Sequence, residues 1–266
     1  SMIKFESIRT YVLITLSFIS LIIAMYFFVT SKIVKNTDTI VFLSSDETQA
    51  ILNNDADHYY QTFNKVDLKL RKSKNVHDYL AKIANSGCEG KEENKEKIID
   101  CIEKVQKKLE PMRNDTIEGV HIDTFLNLPW KIGFICDKVY ENGLPHTRGD
   151  VIIFNNVDVQ RRNIVETCRL LIHEKVHVYQ KTYTEEFRKN IQNEYQKIDE
   201  MRDKNTSPSN PDVDDYVYKR KSDGQLMRSD YKNKPRSFRD ISFPKNDHKL
   251  EHPNETTAYS LQELYQ

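Results

Sequence analysis

From Tyr11 through Val29 the chain reads YVLITLSFISLIIAMYFFV, with no charged residue. At about 1.5 Å per residue such a run makes roughly 28 Å of helix, the thickness of one hydrocarbon core. It is read as a transmembrane helix that anchors the chain in a lipid bilayer through residues 11–29, after a short tail of residues 1–10. A cleaved signal peptide is the competing reading, since Lys4 and Arg9 precede the run and Thr30-Ser31 follow it. The run exceeds the roughly 7–15 residues of a signal peptide's apolar region and no A-x-A-like site follows, which favours an uncleaved anchor. Lys4 and Arg9, offset by Glu6, stand against Lys32 and Lys35, so flanking charge barely sets the orientation. Ser1, ahead of Met2, reads as a non-native addition.

Beyond this run the character reverses. A mean hydropathy of −0.68, with 40 basic residues balanced by 40 acidic ones, fits a soluble region tethered to a membrane rather than a multispan protein. The zero net charge and the lack of a basic stripe exclude the electrostatic footprint of a nucleic-acid-binding protein. All four cysteines, Cys88, Cys101, Cys136 and Cys168, follow the run, and N-x-S/T sequons occur at Asn114, Asn205 and Asn254. The even count and the sequons point to an oxidising, extracellular or lumenal compartment. Three full pairings are open. Cys88 with Cys101 is favoured because it closes a short loop, while Cys136 and Cys168, in the apolar settings GFICDKV and VETCRLLI, are as readily buried thiols.

Residues 30–112 are expected to form a helical region. SSDETQAILNN opens on a capping serine, and NVHDYLAKIANSG stops at a glycine. EENKEKIIDCIEKVQKKLEP places Ile98, Ile102, Val105 and Leu109 on one stripe before Pro111. Residues 113–266 have a different texture, and the expected class is α+β. LPWKIGFICDKVY and DVIIFNN read as two strands, with ENGLPHTRG as a turn or loop between them. DVQRRNIVETCRLLIHEKVHVYQKTY has no proline or glycine and reads as one long helix with Asp158 as its N-cap. A polar insertion, 182–250, follows. In it NEYQKIDEMRDKNTSPSNPDVDD reads as a helix running into a loop, and Asp223-Gly224 as the tip of a hairpin. EHPNETTAYSLQELY starts a last helix at Pro253.

The long helix contains HEKVH, residues 173–177. Histidines four apart share one helix face, so His173 and His177 can reach a single metal ion. Glu174, about 100° round the helix, is placed to act on a water as general base rather than to bind the ion itself. Ile164, Val165, Cys168, Ile172 and Val176 occupy the other faces, so a half-buried helix with an open histidine edge is expected. A solvated histidine pair on an ordinary helix is the bland alternative, and the apolar flanks count against it.

HEKVH on a long helix, after a strand pair and before a helix carrying Glu255, resembles the zincin metallopeptidases of the glutamate-zincin group over residues 124–266. The resemblance implies a zincin-like catalytic domain with a small mixed sheet, one Zn2+ ion held by His173, His177 and Glu255, and Glu174 as the base in peptide-bond hydrolysis. Its substrate would be a peptide or protein. An edge strand of that fold pairs with extended substrate, which would set Val151 and Ile152 along the cleft, with His146 and Arg148 at one end. Tyr259, His248, His252 and Tyr231 are candidate oxyanion donors.

The chain departs from the family pattern in one spacing. Glu255 lies further from His177 than the few dozen residues usual for the third ligand, and Glu194 lies nearer that distance, so Glu194 stays open for the role. The extended histidine signature of metzincins is absent. Two other functions also stay open: a zinc amidohydrolase acting on a non-peptide amide, and a catalytically silent, membrane-tethered binding protein with a structural zinc site. The polar insertion could lie over the cleft as a lid.

Overall fold

The computed structural model describes residues 40–266, and the span expected at residues 11–29 lies outside them. No helix among the described residues is long and apolar enough to cross a membrane. In chain order the elements are β1 (Ile40–Phe42), α1 (Ser45–Asn53), α2 (Lys65–Leu70), α3 (Val76–Lys82), β2 (Gly87–Cys88), α4 (Glu92–Leu109), β3 (Thr116–Ile117), β4 (Val120–His121), α5 (Ile122–Asn127), β5 (Trp130–Ile135), β6 (His146–Arg148), β7 (Val151–Asn155) and α6 (Asn156–Arg161). Then come α7 (Ile164–Thr182), α8 (Thr184–Ile191), β8 (Tyr195–Met201), β9 (Tyr216–Arg220), β10 (Leu226–Met227), β11 (Asp230–Tyr231), β12 (Ile241–Ser242) and α9 (Pro253–Gln262). The fold is mixed α and β, with several small sheets.

The largest sheet runs β1-β5-β7-β6, with β2 also paired to β5. β5 and β7 are parallel, while β6 is antiparallel to β7. Both β5 and β7 are buried almost throughout, which is why they read as unbroken apolar runs rather than alternating ones. The segment expected as a loop between two strands supplies a third, β6. Gly149, at φ +57°, opens the tight turn from β6 into β7, a conformation that hairpin turns require of their first residue.

Helices α1 and α4 form where caps and stripes predict. Ser44 and Glu47 make a reciprocal capping box at α1. Ile98, Ile102 and Val105 of α4 are wholly buried, each contributing about 1.5–3 kcal/mol. The helical stretch expected over 45–111 is interrupted by β2, and β1 and β2 join the sheet that carries β5 and β7. Residues 41–112 and 113–266 therefore share one core, in which Leu52, Tyr60, Tyr79 and Ile83 pack against Ile135, Val151 and Ile153.

Four expectations need correction. The long helix expected from Asp158 is two helices, because Asn155 caps α6 and Asn163 caps α7 through a second capping box with Glu166. The charged run after Asn193 is a strand, β8, paired antiparallel with β9. Its side chains are mostly exposed, so no helical stripe had to form. Val151 and Ile152 lie on an interior strand, not an edge, since β6 covers β7.

The fourth correction concerns the disulfides, which join Cys88 to Cys136 and Cys101 to Cys168, leaving no free cysteine. The register of β2 against β5 sets Cys88 opposite Phe134, close to Cys136. Cys101 lies instead on the buried stripe of α4, which packs on α7, and faces Cys168 there. Replacing Cys101 and Cys168 together by alanine is expected to cost about 2–4 kcal/mol, read as a lower urea midpoint. An unchanged midpoint would show that the link restrains nothing.

The hairpin expected at Asp223-Gly224 is present between β9 and β10, with Gly224 at φ +71°.

Candidate metal centre

α7 carries HEKVH, and every residue from Leu171 to Gln180 is buried. That stretch is enclosed on all sides rather than half-buried as expected, while Val165, in the first turn of the helix, is exposed. Part of the enclosure is polar, because the Lys175 ammonium sits 2.5 Å from the Leu128 carbonyl oxygen, 2.6 Å from that of Pro129 and 4.2 Å over the Trp130 ring. Burial pushes that ammonium well below its ordinary range. On the other side α9 packs along α7. His252 caps α9 by accepting the Asn254 N–H, and Glu255 falls in the first turn, where a carboxylate is favoured.

This packing brings His173, His177 and Glu255 together, with one candidate ligand atom from each within 4.8 Å of the others. The two Nε2 atoms are 3.2 Å apart, His173 Nε2 is 3.4 Å from Glu255 Oε2, and His177 Nε2 is 3.8 Å from Glu255 Oε1. Ligand atoms about 2.0–2.1 Å from a tetrahedral zinc ion lie about 3.3 Å from one another, so the three side chains fit such an ion.

Hydrogen bonding fixes the state of one ring. The Gln180 amide is oriented by its Nε2, which donates to the Asn254 carbonyl at 3.1 Å, so its oxygen is left to accept from His177 Nδ1 at 2.9 Å. His177 therefore presents a bare Nε2 to the cluster. His173 Nδ1 is buried and has no hydrogen-bond partner among the described residues, so nothing comparable among them steadies His173 from behind. The Tyr259 ring meets it edge to face at 4.7 Å.

Glu174 points towards the cleft wall formed by β6, where the Thr147 hydroxyl lies 3.1 Å from Glu174 Oε2. Burial, and then the Asp212 carboxylate, push the Glu174 carboxyl up to about 8. Burial opposes ionisation of Glu255 too, but His177 and His173 outweigh it and hold that carboxyl well below the usual range. His173 is raised to about 8, because the hydrogen bond and charge of Glu255 overcome the effect of burial.

The polar insertion forms a wall of this cleft, which has a volume of about 380 Å³. Asn210 donates to Glu255 Oε1 at 3.1 Å. Asp212 accepts from the Thr147 N–H at 3.3 Å and lies 3.1 Å from Lys181 Nζ, while Lys181 donates to the Thr147 carbonyl. Both outward backbone groups of Thr147 on edge strand β6 are therefore taken by side chains.

The remaining expected site residues divide. His146 lines the cleft, but its ring is held by the Tyr140 hydroxyl and the Leu144 carbonyl. Arg148 is buried in a network with Asp57, Tyr60 and Tyr140, so it supports the fold rather than the cleft. Tyr259 and Tyr231 line the cleft, His248 meets Tyr259 edge to face at 4.3 Å, Tyr231 is tied to Asp67 and His252 to Asp214. Glu194 is exposed and outside the cluster. The sequon residue Asn254 is engaged through Nδ2 with the Asp212 carbonyl, which leaves that nitrogen ill placed to carry a glycan.

Sequence reasoning missed Asp212, Thr147, Asn210 and Gln180. Only Gln180 carried a signal, lying three residues after His177 on the same helix face. No protein-family model, curated protein or solved structure matches the chain.

Proposed function

We propose that the chain is a zinc-dependent peptide hydrolase with a zincin-like catalytic domain, anchored to a membrane by residues 11–29. One observation carries this reading. His173, His177 and Glu255 converge at ligand-to-ligand distances, and Glu174 faces the same cleft without belonging to the cluster. A purely structural site has no use for a buried carboxylate that faces the cleft from outside the cluster.

His173 and His177 would hold the ion through Nε2, and Glu255 through a carboxylate oxygen. A zinc ion there supplies Lewis acidity and a more acidic bound water. Glu174 takes a proton from the attacking water and returns it to the leaving amine. The Thr147 hydroxyl orients Glu174, and Asp212 sets its proton affinity. Gln180 keeps His177 in the ligating tautomer. Two disulfides and no free cysteine support an extracellular or lumenal location.

The test is metal analysis of the full chain purified without chelator, with about one zinc per chain expected. Glu255→Gln should weaken zinc binding by more than the roughly 10–100-fold typical of losing a partner behind a ligand. Glu194→Gln should leave binding intact. Zinc-free wild-type protein, or zinc lost with Glu194→Gln and kept with Glu255→Gln, would overturn the ligand set.

A further inference from the structure

Beside the cleft lies a second recess of about 380 Å³, and Leu144, Pro145 and Arg162 line both. Three segments build it: the loop from β5 to β6, helix α6 with the residues after it, and Arg239 from the polar insertion. Its charged residues are Lys138, Arg161, Arg162 and Arg239, against one carboxylate, Asp158. Arg162 is paired with Asp158 at 2.8 Å. Lys138, Arg161 and Arg239 are exposed and make no ion pair among the described residues.

The cleft carries both signs, with Glu141 paired to Arg71 and Asp212 to Lys181, so a bound chain running from cleft to recess meets its unpaired positive groups in the recess. No aromatic residue lines the recess, so it lacks the stacking surface that single-stranded nucleic acid uses.

We propose that this recess is a specificity subsite for an anionic side chain of the peptide substrate, displaced along the chain from the bond that is cut. The inference rests on the peptidase reading for its meaning, but its binding chemistry can be tested separately. Carboxylate and phosphorylated side chains share that chemistry. Guanidinium groups suit both, because their planar donors match either anion two-fold. The recess borders the cleft and holds none of the clustered residues His173, His177 and Glu255, which sets the anionic residue off from the bond itself.

The experiment uses the full chain carrying Glu174→Gln, so that bound peptide is not cut, and fluorescently labelled decapeptide pools with one fixed Glu, Lys or phosphoserine. The Glu or the phosphoserine pool should bind at least about 10-fold tighter than the Lys pool, with the preference falling as salt rises. Which of the two binds tighter identifies the natural anion. Adding Arg161→Glu and Arg239→Glu should abolish or invert the preference, whereas Lys107→Glu with Lys108→Glu, an equal charge change on exposed α4 positions, should leave it. Equal binding of all three pools, or equal loss in both charge-reversed variants, would overturn the subsite. Discrimination in binding with no cleavage of any pool by wild-type protein would instead sink the peptidase reading and leave the anion site standing.

Discussion

Glu174→Gln is expected to keep one zinc per chain while lowering kcat on a peptide pool by about 10²–10⁴-fold, the usual contribution of a positioned general base. The substitution preserves shape, and an amide oxygen at the Oε2 position can still accept from the Thr147 hydroxyl. What it removes is the ability to take up a proton. His173, His177 and Glu255 are untouched, so metal content should match wild type, which separates this variant from Glu255→Gln. The paired measurement is turnover of quenched fluorescent peptides beside elemental analysis of the same sample. Wild-type turnover with Glu174→Gln would end the assignment of this residue as base, whatever the metal content.

Glu141→Gln is expected to cost about 3 kcal/mol, because it strips the buried Arg71 guanidinium of its two-fold carboxylate contact and leaves only Asp67, at 3.4 Å, to balance the charge. Arg71 grips both Glu141 oxygens, at 2.5 and 3.1 Å, and the Tyr79 hydroxyl lies 2.5 Å from Oε1. Arg71 also donates to the Tyr59 hydroxyl at 2.8 Å. Burial alone would raise the Glu141 carboxyl, but Arg71 outweighs it and holds the pKa below the ordinary 4.5. With the folded pKa depressed, the pair's contribution is present above the unfolded value and lost as pH falls through the folded one. Urea midpoints of wild type and Glu141→Gln should therefore converge on acidification below about pH 4. A gap that stays constant would refute the electrostatic account.

The parts of this molecule legible in its sequence are those fixed by local chemistry. The stripe of α4, the serine cap of α1, the turn at Asp223-Gly224 and the shared face of His173 and His177 all depend on neighbours within one or two turns. The break at Asn163 was legible too, since Asn163 and Glu166 have the spacing of a capping box. The exposed strand β8 was not, because a charged edge held mainly by backbone pairing to β9 leaves no apolar period to read. The disulfides were missed for a related reason. Loop length favoured Cys88 with Cys101, but strand register and helix docking decided the partners, and both are tertiary. Asp212 reaches the site only through the folding of a long polar segment, so no spacing announces it.

Lys175 has a consequence for how the ligands come to point where they do. It occupies the first variable position of HEKVH, pointing away from the cluster, with its ammonium locked between two carbonyls and an indole. A helix can spin or slide on its bed at small cost when only apolar side chains touch it, and a turn of some tens of degrees would misdirect both imidazoles. This polar tether at the back, together with the Cys101–Cys168 link on the same helix, sets the rotational phase of the whole segment. The edge that carries His173 and His177 is thus aimed from behind, and the two imidazoles are held in place by contacts made outside their own cluster.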